Sequence, residues 1–149
     1  MKYEVARLGR VVVIRLEDGD VVHQCIEEVA RREGVVRGCV MLVGGAAGGS
    51  TLVVGPEDGA ASPVVPMQQG LDDAHEVAGV GTLFPGEDGE PVLHLHVACG
   101  RDAEAVVGCV RLGVTTWTIL EAVIVEIEGS RAVRRRDPET GFQLLDVEG

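Results

Sequence analysis

The chain has 149 residues, 46% hydrophobic and 25% charged, enough for one compact domain and too few for a second core of ordinary size. Acidic residues number 24 against 13 Lys and Arg, giving a formal net charge of −11 and a pI near 4.7, a field that repels phosphate backbones. Aromatic residues make up 3% (Tyr3, Phe84, Trp117 and Phe142), which argues against base-stacking platforms and leaves an aliphatic core of Val, Leu and Ile.

The amino-terminal residues carry no apolar run behind their positive charges, so neither a signal peptide nor a membrane span is expected, and the cytoplasm is the expected location. In that reducing compartment Cys25, Cys39, Cys99 and Cys109, which include no CxxC pair, are expected to be buried thiols rather than disulfides. Val11 to Leu16 is β-branched and stops at Glu17-Asp18-Gly19-Asp20, a strand followed by a turn. Asp20 is placed to cap a helix from Val21 to Glu33, in which Val22, Ile26, Val29 and Ala30 recur at helical spacing and Gly34 follows as the breaker.

Val35 to Val43 reads as a second strand running into the glycine-rich Gly44 to Gly49, and Ser50 to Val54 resumes extended structure. The glycines lack the Lys-Ser/Thr of a P-loop and open no GxGxxG helix, so they predict close backbone approach and no nucleotide. Gly55 to Gly70, with its prolines, is expected to be an irregular surface loop. Beyond it come apolar segments divided by turn residues: Glu76 to Phe84, Val92 to Ala98, Ala105 to Leu112 and Val114 to Ile127. From Gly129 onward four Arg balance four acids, so the net charge resides in residues 1–128; Ala132 to Arg135 and Phe142 to Val147 are candidate edge strands of the same domain. The sum is an α+β fold: a mainly antiparallel, strongly curved sheet with one main helix (Val21 to Glu33) packed against it, a single domain over 1–128 and a tail over 129–149.

The chemistry concentrates in Leu93-His94-Leu95-His96-Val97. On a strand both imidazoles share a face while Leu93, Leu95 and Val97 take the other, and two imidazoles held so supply two ligands of a zinc-type site. His-x-His alone is a weak signal, because any half-exposed strand gives the same alternation.

The order of an Arg-bearing strand ending in Glu-Asp-Gly-Asp, a helix, the turn at Gly44-Gly45-Ala46, a strand from Glu76 to Gly81, and Asp-Gly-Glu-Pro-Val-Leu-His-Leu-His-Val over 88–97 resembles the plants-and-prokaryotes conserved (PPC) domain. This domain accompanies AT-hooks in plant nuclear proteins and stands alone in bacteria and archaea. The resemblance runs from about Arg15 to about Ile127 and rests chiefly on the Asp-Gly-x-Pro-x-x-His-x-His block. It implies a compact α/β fold assembled as a homotrimer and similar to that of acetolactate decarboxylase, a zinc enzyme.

In the family a Gly-Gly-His-Leu segment completes a three-histidine metal site, and a Glu follows further on. Here Val107 to Gly113 is the matching segment, Glu121 falls where that Glu would, and Cys109 takes the third ligand's place. The resemblance thus implies a metal set of His94, His96 and Cys109, with zinc as cofactor, since a thiolate suits zinc better than harder metals. Glu76, after His75 at the start of its strand, is the candidate catalytic general base or partner of a metal ligand. A solvated strand end is its plainer explanation. His23, in the first helical turn, is expected on the surface, and Arg134-Arg135-Arg136 is expected to be a solvated face.

Val and Ile on both faces of a strand such as Ala122-Val123-Ile124-Val125 need cover on each side, and one helix cannot supply it. Subunit contacts would, in keeping with the trimer that the resemblance implies. Two functional readings stay open. One is a metal-binding domain whose open coordination position accepts water or a small anionic ligand. The other is a non-enzymatic regulatory or assembly module of the kind found in the DNA-binding plant relatives, against which stand the net charge and the lack of an Arg-Gly-Arg-Pro hook.

Overall fold

In a computed structural model, which describes residues 1–147, ten strands and one α-helix follow in chain order. They are β1 (Arg7–Glu17), α1 (Val22–Glu33), β2 (Gly38–Ala46), β3 (Thr51–Pro56), β4 (Pro66–Gly70), β5 (His75–Pro85), β6 (Pro91–Arg101), β7 (Glu104–Cys109), β8 (Thr116–Glu128), β9 (Val133–Arg136) and β10 (Gln143–Asp146). The first eight form one curved sheet in the order β1-β8-β2-β5-β6-β7-β3-β4, with every neighbouring pair antiparallel. The expected α+β class with one main helix is what forms. Among the described residues no helix is long and apolar enough to cross a membrane.

Because β8 lies between β1 and β2 and is antiparallel to both, β1 and β2 run parallel and α1 is the crossover between them. The helix buries Val22, Ile26 and Ala30, one stripe at helical spacing, and lies across β6 and β1. Beneath it are Leu16, Val40, Leu42, Leu83, Leu95, Leu120 and Ile124, each an inward residue of a strand. Gly34 ends the helix in the left-handed conformation (φ 67°), donating its backbone N–H to Arg31.

The amino-terminal cap differs from expectation. Val21 occupies the cap position and pairs with Thr115 as a β-bridge, while the Asp20 carboxylate turns back to accept the Glu17 N–H at 2.9 Å. Asp20 therefore closes the preceding turn, an alternative open to any Asp near a helix start. The second strand begins at Gly38 rather than Val35, whose side chain is buried under the helix connection. Gly44 and Gly45 do bring backbones together: a Cβ on Gly44 (φ 143°) would lie 2.5 Å from the Ile119 carbonyl oxygen, and one on Gly45 2.6 Å from that of Trp117.

Three further expectations change. The 55–70 segment is not wholly irregular: β4 pairs with β3 although all five of its side chains are exposed, so the ladder forms without a burial pattern to announce it. The strand expected to reach Leu112 stops at Cys109 and turns into a 3₁₀ segment, Val110–Leu112. The tail strands form, but β9 and β10 pair with each other in a two-stranded sheet of their own rather than extending the main sheet's edge. All four cysteines are free thiols, Cys99 and Cys109 buried, Cys25 and Cys39 half-buried.

At the β1–β8 margin, Arg10 donates to Glu126 through Nε (2.8 Å), Nη2 (2.9 Å) and its backbone N–H (3.1 Å). These bonds hold the Glu126 carboxyl down at about 2, against an ordinary value of 4.5. A depressed carboxyl pKa stabilises the fold fully above the unfolded value, and that contribution is lost as pH falls from 4.5 towards 2. Since Arg10 is largely exposed, Glu126→Gln should cost roughly 1 kcal/mol at neutral pH. Urea denaturation across a pH series should show wild type and variant converging on acidification.

Candidate metal centre

On β6 the alternation is strict: Leu95, Val97 and Cys99 are buried in the core, while His94 and His96 project from the opposite, outer face of the sheet. The β6–β7 register sets Cys109 directly across from His96. One row of outer-face residues then runs through Val13, Val123, Met41, Val80, His96 and Cys109 from strand to strand. Two glycines let β5 close on β6 beside this row. A Cβ on Gly81 would lie 2.5 Å from the His94 carbonyl oxygen, and one on Gly79 2.8 Å from that of His96. Gly108 does the same for Cys109, since a Cβ there would meet the Val53 carbonyl oxygen at 2.6 Å.

One donor atom from each of His94, His96 and Cys109 lies within 4.8 Å of the others. The two Nε2 atoms are 3.1 Å apart and the rings meet edge to face, with centroids 5.0 Å apart and planes at 80°. Tetrahedral zinc with Zn–N bonds of about 2.0–2.1 Å needs its nitrogens about 3.4 Å apart, so the imidazole pair requires a shift of only a few tenths of an ångström. The donor set is therefore of a size and chemistry that fit a zinc ion. Partial desolvation, then the nearby positive charges of Arg134, His96 and Arg111, lower the pKa of His94 and favour the neutral ring that can act as a ligand.

Two arginines stand beside the cluster. Arg111 Nε donates to Cys109 Sγ at 3.5 Å. Arg134, from β9, is only 4% exposed and donates through Nη2 to the Thr82 hydroxyl at 2.9 Å. A cavity of about 490 Å³ opens between Arg134, Arg111, His94 and Cys109 on one side and Phe142 and Leu144 of the tail on the other. A second, of about 480 Å³, lies beyond Cys109 and is reached by His96, Arg111, Thr140 and Phe142. No acidic side chain lines either one among the described residues.

The other candidates fall elsewhere. Glu76 is exposed on the same sheet face but four residues along β5 from Val80, the partner of His96, which is about 13 Å at the usual strand rise. Glu121, on β8, is three strand spacings from β6, about 14 Å. Neither touches the cluster within one chain. His75 is buried, its Nδ1 2.9 Å from the Asp73 carbonyl oxygen. His23 is half-buried rather than on the surface, with Nδ1 enclosed and without a hydrogen-bond partner among the described residues. Of the Arg134 to Arg136 run, Arg135 and Arg136 are solvated as expected, whereas Arg134 is the residue that sequence reasoning missed. The sequence carries no signal for it: strand alternation places Arg134 on the same face as Arg136, which is exposed, and sets only Arg135 apart.

Together the sheet, the crossover helix and the His₂Cys cluster define an α+β domain with a candidate metal centre on its outer face. The sequence pattern of the Plants and Prokaryotes Conserved (PCC) domain matches residues 3–128, and the chain belongs to that family. No match is found among curated proteins. Among solved structures, a metal-containing protein from Archaeoglobus fulgidus superposes with a TM-score of 0.80 at 23% identity, covering 97% of this chain and 98% of that one. A plant- and prokaryote-conserved protein from Pyrococcus horikoshii gives 0.79 at 18% identity, with 97% and 99% covered. A candidate DNA-binding protein from Bacteroides thetaiotaomicron gives 0.77 at 16% identity, with 98% and 100% covered. At these identities the likeness is one of fold.

Because Gly81 has no room for a side chain, Gly81→Ala should destabilise the domain by about 1–3 kcal/mol through overpacking of β5 on β6. The same displacement should pull His94 away from His96. Chemical denaturation reads the first effect, and the imidazole resonances of the two histidines read the second.

Proposed function

We propose that the protein is a cytoplasmic zinc-binding domain in which His94, His96 and Cys109 hold the ion and a fourth coordination position stays open to water or a small oxyanionic ligand. The observation that carries this is the convergence of three donor atoms within 4.8 Å on a face where nothing else requires two imidazoles and a thiol to meet. Support comes from the donor chemistry, since mixed imidazole and thiolate ligation suits zinc, and from the metal-containing neighbour of the same fold. A bound zinc with an open position supplies a Lewis acid and an acidified water, the requirements of lyase or hydrolase chemistry.

The protein's assembly belongs to the same proposal. Val11, Val13, Met41, Val43 and Val80 lie exposed on the outer face, Val13 at 78% and Val80 at 61%, neighbouring apolar side chains of the kind that mark an interaction surface. A second and third copy of the chain would cover it, giving the homotrimer that the sequence resemblance implies. Glu76 lies on this same face, so as a general base it would serve the site of a neighbouring subunit. A DNA-binding role has less behind it: the net charge is −11, and the basic groups nearest the site are turned into cavities rather than spread over a surface.

Elemental analysis of protein purified without added metal should find stoichiometric zinc in wild type and a loss of about tenfold or more in zinc affinity in His96→Ala and Cys109→Ala. Equal zinc in all three proteins rejects the ligand assignment. Sedimentation equilibrium should give three times the chain mass for wild type and a monomer for Met41→Glu, which places a charge at the centre of the apolar patch, between Val123 and Val80; a monomeric wild type rejects the assembly.

A further inference from the structure

Arg134 is the one arginine that is almost wholly buried, and it has no acidic partner among the described residues. Arg10, Arg15, Arg31, Arg32, Arg101 and Arg135, all exposed, each pair with a carboxylate. The Arg134 guanidinium instead donates through Nη2 to Thr82, to the hydroxyl at 2.9 Å and more weakly to the carbonyl oxygen at 3.4 Å. Its Nε is enclosed without a partner, and Nη1 makes no hydrogen bond among the described residues. Burial presses its pKa below the ordinary arginine value. An arginine nevertheless stays charged, and its nearest anionic group is the Cys109 sulfur, which the zinc reading commits to the metal, so an enclosed charge is left that an added anion would relieve.

The cavity in front of this group decides which anion. At about 490 Å³ it is of small-molecule size, with Arg134, Arg111 and the His94–Cys109 edge of the metal cluster at one side. The rest of the lining is mostly apolar, Val92 and Leu93 beside His94 and Phe142 and Leu144 from the tail, with Gln143 as its one uncharged hydrogen-bonding side chain. One enclosed guanidinium beside an apolar wall matches a singly charged carboxylate on a short aliphatic body. Aliphatic side chains around most of the cavity would desolvate a phosphate dianion at a greater cost than a monoanion with an apolar body.

We propose that Arg134, assisted by Arg111, is the carboxylate anchor of a ligand site contiguous with the His94–His96–Cys109 cluster, and that the natural ligand is a small aliphatic monocarboxylate. This deepens the metal-site reading and rests on it for what meets the ligand's other end. The anchor comes from β9, beyond residue 128 where the family pattern ends, so it is a property of this chain's tail and not of the matched domain.

The test uses isobutyrate and its uncharged isostere isobutyramide, titrated into the full chain both zinc-loaded and chelator-stripped, with binding followed by calorimetry and by ¹H–¹⁵N NMR. Wild type should bind the acid at least about tenfold more tightly than the amide, in line with a charge-assisted contact, and Arg134→Gln should lose that preference. Should Arg134→Gln fail to fold, Arg111→Gln, which alters an exposed residue, should narrow the same preference. Equal binding of acid and amide by wild type overturns the anchor, as does stronger binding of inorganic phosphate than of isobutyrate or an unchanged preference in a folded Arg134→Gln. The two readings fail separately. An Arg134-dependent acid preference in a protein that takes up no zinc supports the anchor and sinks the metal, whereas stoichiometric zinc with no acid preference does the reverse.

Discussion

The antiparallel ladder through β5, β6 and β7 is the constraint from which the site follows. Its register puts Val80, His96 and Cys109 in one line and Thr82 beside His94. A slip by one residue would exchange the two faces of β6, burying both imidazoles and turning Leu95 and Val97 to the outside. The register is held because those two residues belong to the core beneath α1, and because Gly79, Gly81 and Gly108 admit the neighbouring backbones at distances that no side chain would permit. Core packing and site geometry are thus two faces of one strand pairing, and what stabilises the one aligns the other.

The molecule is strongly two-sided in consequence. Its inner face is closed by a single amphipathic helix, and its outer face divides into two regions. Towards β1 and β2 it is bare and aliphatic. Towards β6 and β7 the carboxy-terminal hairpin leans over it, and Arg134 reaches in to Thr82. The acidic character of the chain as a whole does not extend to that end. Two arginines and two histidines gather there with no carboxylate among the described residues of the cavity walls, a local balance of charged groups opposite in sign to that of the whole chain.

Much of this was legible in the sequence where burial imposes a period. The helix, with Val22, Ile26 and Ala30 inward and Gly34 at its end, and the alternation around His94 and His96 could be read directly, because each side chain's environment follows from its position. The meeting of Cys109 with the histidines could not be read from spacing, since it depends on the β6–β7 register; it was carried by the family resemblance. β4 was illegible because its side chains all face solvent and only backbone bonds hold it. Asp20 was misread because a short carboxylate serves a turn as readily as a helix start. Arg134 was hidden because a run of three like residues gives no hint that one of them is enclosed by a neighbouring strand.

Phe142 borders both cavities, with Cys109 and Arg111 as its neighbours along the divide. The partition between the two compartments is therefore made jointly by the sheet, through Cys109 and Arg111, and by one ring from the two-stranded appendage. It sets how long a molecule can be and still reach the histidines from the arginine side, and a smaller residue there would merge two compartments into one trough. Chains that share the sheet but end in a different tail would keep the same donors and differ in the room in front of them.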